Sequence, residues 1–159
     1  MLALGLDPGT ATTGYGLVRL LEDGGLQAVE YGIILTPKEM DDAKRLSMLY
    51  TRLNEILAHF HPETSAVEKL FFQKNVRTAL AVGQARGVLL LALAQVGLDI
   101  AEYTPNEVKQ AVTGYGSADK RQVQEMVRIQ LALDDIPKPD DAADALAIAI
   151  CHLSTRRYE

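Results

Sequence analysis

The alternation of apolar and polar positions predicts three strands at the start of the chain. Residues 2–6 form a short apolar run, and residues 12–21 and 26–35 have the composition of longer strands. Residues 22–25, Glu-Asp-Gly-Gly, are typical of a hairpin turn between the last two. Three strands before any helix indicate an antiparallel meander at one side of a mixed sheet.

Helical spacing and short strands alternate in the middle of the chain. Apolar side chains recur at helical spacing between residues 41 and 60, which predicts an amphipathic surface helix. Residues 65–68 and 98–103 predict a fourth and a fifth strand. Between these strands, Asn75 is predicted to cap a helix that extends to about residue 96.

Capping signals predict two further helices before the last one. Thr104-Pro-Asn-Glu107 is a capping box with Pro at the first helical position, and Gly114 ends that short helix. Ser117 is predicted to cap the next helix, which extends to about residue 133.

The last predicted helix is apolar on nearly every face. Asp140 is predicted as its N-cap, and residues 142–151 are apolar or small apart from Asp144. In a helix that is buried on most sides, the carboxylate of Asp144 must either be paired or point into a cavity that needs a charge. Asp141 lies on the same face, three residues earlier. The two acids repel each other unless a cation lies between them, although helix-start chemistry alone would also explain Asp140 and Asp141.

The order of elements is three strands, a helix, a strand, a helix, a strand and then helices. This order predicts an α/β, ribonuclease H-like fold, with a mixed five-stranded sheet (three antiparallel strands, then two parallel) and helices on both faces. The first and fourth strands would lie side by side at the centre. Asp7 and Glu68, which end those strands, would then converge with Asp141 and Asp144. Taken singly, Asp7 could be a turn residue and Glu68 a solvent-facing strand end.

The helix predicted from residue 75 to 96 has more apolar surface than one sheet contact requires. Gly83 and Gly87, four residues apart, would allow another helix to approach closely. We expect a homodimer built on this helix, with tight packing inside the chain as the alternative.

Two adjacent aromatic residues, Phe71 and Phe72, lie among Lys69, Lys74 and Arg77. Exposed aromatic rings beside basic side chains suit stacking on unpaired bases with phosphates held alongside. The alternative is that the two aromatic side chains pack into the hydrophobic core.

Two lysines are candidates for contact with an anion. Lys120 lies in the first turn of a predicted helix, where a cation works against the helix dipole, so it could meet an external anion. A solvated lysine is the alternative for Lys120 and for Lys109.

Composition limits the classes of protein that remain. The chain has 159 residues, so we expect one domain spanning residues 1–159. The net charge is −5, but residues 66–128 carry 8 basic and 6 acidic side chains, so a local nucleic-acid surface stays possible. The single cysteine excludes a disulfide framework. The first apolar run is too short for a signal sequence or membrane span, so we expect a cytoplasmic protein with no membrane contact.

Taken together, the motifs resemble the RuvC family of crossover-junction endodeoxyribonucleases. The resemblance covers nearly the whole chain, and it rests on segments in the family's order: Leu6-Asp7-Pro-Gly-Thr, Thr13-Gly14-Tyr-Gly16, Val67-Glu68, Phe71-Phe72-Gln-Lys-Asn75, Gly83-Gln-Ala-Arg-Gly87, Val108-Lys109-Gln, Gly116-Ser-Ala-Asp-Lys120 and Asp141-Ala-Ala-Asp144.

The resemblance implies an active site and a mode of action. Asp7, Glu68, Asp141 and Asp144 match the family's catalytic carboxylates, which hold two divalent cations, usually Mg²⁺ with Mn²⁺ accepted. Lys109 and Lys120 match lysines near the scissile phosphate. Such enzymes are homodimers that nick four-way DNA junctions symmetrically and work with RuvA and RuvB.

Within the DNA-facing segment, the resemblance implies that Phe71 wedges against unpaired bases, with Phe72 beside it. Lys74 and Arg77 fall in the same segment.

Three alternatives follow from the same residues. Another ribonuclease H-like nuclease, acting on RNA–DNA hybrid or nicked duplex, would share the carboxylates. An actin-like ATPase would need a second lobe, for which 159 residues leave no room. A junction-binding scaffold without catalysis would need no cluster of acids.

Overall fold

The computed structural model describes residues 1–69 and 75–157, which form five strands and five helices. The strands are β1 (Leu2–Pro8), β2 (Thr12–Leu20), β3 (Leu26–Leu35), β4 (Thr64–Glu68) and β5 (Ile100–Tyr103). The helices are α1 (Asp42–Phe60), α2 (Val76–Gln95), α3 (Pro105–Thr113), α4 (Lys120–Gln130) and α5 (Asp140–Arg156).

The strands form one mixed sheet in the order β3-β2-β1-β4-β5. β1 pairs with β2, and β2 with β3, in antiparallel orientation, whereas β4 lies parallel to both β1 and β5. The predicted fold class is therefore confirmed, with β1 at the centre of the sheet. The carboxyl ends of β1 and β4 meet at one edge, which is where polar side chains of parallel strands gather.

Each face of the sheet is covered by its own apolar core. Alternation along β1 places Leu2, Leu4 and Leu6 in a core with α1 and α2. Ala3 lies in the opposite core, which is dominated by α5 and includes residues of α3 and α4. Helices on both faces follow from this division.

Helix α5 lies very close to β1 and β2 because the strands carry glycine there. A Cβ atom at Gly5 would lie 2.2 Å from the backbone oxygen of Ala145, and one at Gly14 would lie 2.0 Å from the backbone oxygen of Asp141. Residues 142–151 are accordingly buried apart from Asp144. The glycines thus set the depth at which α5 presents its first turn.

Two predicted helix caps are wrong. Pro139, with an extended backbone, is the N-cap of α5, and Asp140 is the first residue of the helix itself. Ser117 does not cap α4, because the side chain of Asp119 accepts the N–H of Gln122 in a capping box. The caps at Asn75 and Thr104 are confirmed.

Helix α2 buries only one side. Ala85, Leu89, Ala92 and Leu93 are buried, whereas Val76, Leu80 and Leu91 are 71%, 64% and 53% exposed. Among the described residues, no atom lies within 4 Å of a Cβ built at Gly87, apart from its chain neighbours and the nearby backbone of α2 itself. Among the described helices, α2 alone has the length and hydropathy of a membrane span, which is weak evidence because core helices share those properties.

Candidate active site

The pairing of β1 with its neighbours brings Asp7 and Glu68 together. Leu6 is paired with Val67 across the parallel ladder, so the next residue of each strand emerges at the same edge. On the other side, Asp7 is paired with Gly14. Because Gly14 has no side chain, the backbone of Asp141 can occupy the space above it. Sheet topology and one glycine therefore place a third acid beside the first two.

Carboxylates of three elements converge at this point. Oxygen atoms of Asp7, Asp141 and Asp144 lie within 4.8 Å of one another, and all three residues are half-buried. Glu68 adjoins this group, since its negative charge helps to raise the pKa of Asp7. The structure thus brings Asp7, Asp141 and Asp144 together with Glu68 beside them, and the catalytic and metal-binding roles predicted for the four acids stay predictions.

The acids perturb one another strongly. Burial, followed by the negative charges of Glu68 and Asp144, raises the pKa of Asp7 to about 9. Burial is also the largest reason why the pKa of Glu68 and the pKa of Asp144 are raised. Carboxylates crowded in this way share protons unless a cation neutralises them.

This donor set fits a hard divalent cation. Within the part of the chain that the structure describes, the ligand group consists of carboxylate oxygens, which suit Mg²⁺ or Mn²⁺ rather than a softer metal. The oxygens of Asp7, Asp141 and Asp144 are grouped closely enough to serve as ligands of a metal ion. The raised pKa of Asp7 reflects the cost of holding a negative charge in a buried site next to other acids, and a bound cation would lower that cost.

The two candidate lysines lie in a groove next to the acids. Lys109 and Lys120 line a pocket of about 260 Å³ together with Glu68 and Asp144. The positive charge of Lys109 partly offsets the rise in the pKa of Glu68. A neighbouring pocket of about 430 Å³, lined by Asp7 and Lys69, shares Glu68 and Asp144 with the first. The acidic cluster therefore lies where two grooves meet.

Lys120 has an ion-pair partner that the sequence pattern did not indicate. Its Nζ lies 2.9 Å from Oδ2 of Asp140, and Gln124 Nε2 donates to Oδ1 of Asp140 at 3.2 Å. The carboxylate that was predicted as a helix cap is thus an ion-pair partner. No local sequence pattern indicates this contact, because twenty residues separate Lys120 from Asp140.

Two arginines that sequence analysis did not select support the strand ends. The guanidinium of Arg86 on α2 pairs with Glu102 of β5, and its Nε lies 3.5 Å from the backbone oxygen of Glu68. Arg45 of α1 donates to the backbone oxygen of Thr10 at 2.6 Å. Both tie the loops and strand ends around the acids to the helices on the α1–α2 side.

The predicted DNA-binding residues are only partly described. Lys69 is exposed directly after Glu68 and lines the second groove, and Arg77 is exposed in the first turn of α2. Phe71, Phe72 and Lys74 lie outside the described residues. Their predicted contacts with DNA remain predictions.

Comparison with known proteins gives matches over almost the full chain. Residues 3–152 match the family model described as crossover junction endodeoxyribonuclease RuvC. A crossover junction endodeoxyribonuclease RuvC of Chloroflexus aggregans is 61% identical over 156 residues, which cover 98% of this chain and 94% of that protein.

Solved structures agree with these matches. The Thermus thermophilus RuvC structure has a TM-score of 0.93 and 36% sequence identity, covering 99% of this chain and 96% of the other. T. thermophilus RuvC in complex with Holliday junction substrate has a TM-score of 0.91 and 33% identity, with the same coverage.

Proposed function

The chain belongs to the RuvC family of crossover junction endodeoxyribonucleases, and we propose that it resolves four-way DNA junctions at the cluster of Asp7, Glu68, Asp141 and Asp144. The observation that carries this proposal is the convergence of Asp7, Asp141 and Asp144 oxygens within 4.8 Å of one another, with Glu68 lining the same groove as Asp7 and Asp144. A nuclease acting on RNA–DNA hybrid is not favoured, since the related T. thermophilus protein was solved with a Holliday junction.

We propose that the four carboxylates hold two Mg²⁺ ions, with Mn²⁺ as a substitute. Such ions supply an activated water nucleophile and stabilise the leaving 3′ oxygen of the phosphodiester. The protein's part is to hold the oxygens at a fixed spacing on two strand ends and one helix. It also keeps the acids half-buried, which strengthens their interaction with a cation.

We propose that Lys109 and Lys120 face the scissile phosphate. Both line the groove that contains Glu68 and Asp144, so a phosphate bound at the acids would have positive charge beside it. Charge placed there before the reaction offsets the negative charge that develops in the transition state. In this proposal both lysines act on the substrate, whereas the acids act on the metal ions.

The DNA-binding surface extends from the groove along the start of α2. Lys69 and Arg77 are exposed there and would contact phosphates. Phe71, Phe72 and Lys74 complete this surface in our proposal, with the aromatic rings stacking on unpaired bases at the centre of the junction.

We propose that the active form is a homodimer joined through α2. The exposed Val76, Leu80 and Leu91 leave an apolar stripe on that helix, and a two-fold assembly supplies two active sites for paired, symmetric nicks. In this proposal the chain folds as one domain over residues 1–159, acts in the cytoplasm, and cooperates with the RuvA and RuvB branch-migration proteins.

The cleavage test compares a mobile four-way junction with linear duplex and RNA–DNA hybrid in the presence of Mg²⁺. We expect paired nicks on the junction with 5′-phosphate ends, and none with Asp7→Asn. Asp135→Asn is the matched control, because it removes one exposed carboxylate that is not part of the acidic cluster. Equal cutting of duplex or hybrid would refute the junction proposal.

The dimer test uses sedimentation velocity on wild-type protein and Leu91→Asp. We expect a dimer for the wild type and a monomer for the variant, because a charge would be buried in the proposed interface. Glu55→Asp, an exposed change on α1, serves as the control. A wild-type monomer at micromolar concentration would contradict the proposed interface.

A further inference from the structure

The carboxylate of Asp140 binds two residues in the first half of α4, one with each oxygen. Oδ2 lies 2.9 Å from Lys120 Nζ, and Oδ1 accepts from Gln124 Nε2 at 3.2 Å. Lys120 and Gln124 are one helical turn apart on α4, so they approach Asp140 from the same face. Asp140 therefore has two partners on one neighbouring helix.

Three properties of Lys120 favour side-chain positions outside the groove. It is the first residue of α4, where the helix dipole disfavours a positive charge, and its side chain is 58% exposed. A lysine side chain is also long and rotates freely, which lowers the fraction of time it spends in any one place. The charges of Asp144 and Asp141 also attract the ammonium, but Asp140 is the carboxylate to which it is ion-paired at 2.9 Å.

Asp140 forms this ion pair at the edge of the groove. It follows Pro139, the N-cap of α5, and precedes Asp141 of the acidic cluster. While paired with Asp140, Lys120 still lines the groove with Asp144. An ammonium has three donors, so it can keep Asp140 and also donate to a phosphate oxygen.

We propose that Asp140 is a positioning residue that holds the Lys120 ammonium in the groove for contact with the scissile phosphate. This inference rests on the proposed role of Lys120 in catalysis. Asp140 itself contacts neither the metal ions nor the substrate in this scheme. It acts by restricting the conformations of the Lys120 side chain. The hydrogen bond from Gln124 fixes the orientation of the Asp140 carboxylate.

A positioning role affects the rate of the chemical step rather than binding. An exposed ion pair is weak, so we expect Asp140→Asn to lower kcat about three- to fivefold. KM for the junction should stay the same or fall, because the substitution removes a negative charge beside DNA. Asp140→Glu should restore part of the rate, since it returns the carboxylate with a longer side chain.

The test is a double-mutant cycle of Asp140→Asn and Lys120→Ala, with kcat and KM measured for cleavage of a four-way junction at saturating Mg²⁺ and single-turnover rates measured alongside to isolate the chemical step. We expect the Asp140→Asn loss in kcat to disappear in the Lys120→Ala background. Asp135→Asn is the control for loss of one exposed negative charge, and its kcat should equal that of the wild type.

The results distinguish failure of the proposed role of Lys120 from failure of the proposed role of Asp140. If Lys120→Ala leaves kcat unchanged, the proposed role of Lys120 is wrong and the positioning role is overturned with it. If Lys120→Ala lowers kcat but Asp140→Asn acts equally in both backgrounds, or changes only KM, the positioning role alone is overturned.

A second measurement does not depend on cleavage. In the metal-free protein, ¹⁵N relaxation of the lysine ammonium groups should show that Lys120 is more mobile in Asp140→Asn than in the wild type. Unchanged mobility would contradict the proposal. Asp140 is exposed, so these variants are expected to fold.

Discussion

Replacement of Asp7 by Asn should stabilise the metal-free protein at neutral and alkaline pH while it abolishes cleavage. The ordinary pKa of 3.8 is raised to about 9 in the folded protein, first by burial and then by the charges of Glu68 and Asp144. Between these two values the folded protein keeps a proton that the unfolded chain releases. Stability is therefore fully present below pH 3.8 and is lost as the pH rises toward 9.

The size of this effect follows from proton linkage. Each pH unit in that window costs at most about 1.4 kcal/mol for one proton, which gives an upper limit of about 4 kcal/mol between pH 5 and pH 8. Water reaches the half-buried carboxylate and reduces the cost, so we expect about 2–4 kcal/mol. For a chain of this length that corresponds to a fall in Tm of about 4–16 °C.

Asparagine cannot ionise, so the variant should lose most of this pH dependence. The assay is thermal unfolding with a chelator at pH 5, 6, 7 and 8 for wild type, Asp7→Asn and the surface control Asp135→Asn. We expect the wild type and the control to lose stability together with rising pH, and Asp7→Asn to exceed both at pH 8. Added Mg²⁺ should raise the Tm of the wild type at pH 8 far more than that of Asp7→Asn.

Two results would refute this reasoning. One is a metal-free wild type whose Tm does not fall between pH 5 and pH 8. The other is an Asp7→Asn protein whose Tm falls with pH as steeply as the wild type, since Asp7 would then not carry the shifted proton.

Three further predictions concern packing, a buried polar contact and metal removal. Gly14→Ala should lower the free energy of unfolding by about 1–3 kcal/mol and also reduce cleavage, because the added Cβ would lie 2.0 Å from the backbone oxygen of Asp141. Unfolding and single-turnover cleavage assays check this, with Gly116→Ala as the control, because a Cβ there has its nearest neighbour at 3.8 Å. Thr64→Val should cost about 1–3 kcal/mol in urea unfolding, because it removes the buried hydroxyl 2.6 Å from His152 Nε2. Chelation of divalent cations should abolish junction cleavage, and Mg²⁺ or Mn²⁺ should restore it, whereas recovery with K⁺ alone would exclude the metal site.

Local chemistry explains which features could be predicted from the sequence. The capping box at Thr104 and Glu107 involves residues three apart, so the sequence contains both partners and their spacing. The β3 strand begins and ends where its pattern predicts, since alternation along a strand is also local. The order of elements then restricts the topology enough to place Asp7 beside Glu68.

The other features of the site depend on contacts between residues far apart in the sequence. Gly14 is visible in the sequence, but only the structure shows that the backbone of Asp141 lies in the space that its missing side chain leaves. The pKa of Asp7 depends on charges from β4 and α5, which no local pattern contains. Asp140 has the sequence signature of a helix cap, yet its carboxylate binds Lys120 because α4 packs against the start of α5. Its role depends on which helix lies next to it, and that is set by the tertiary fold.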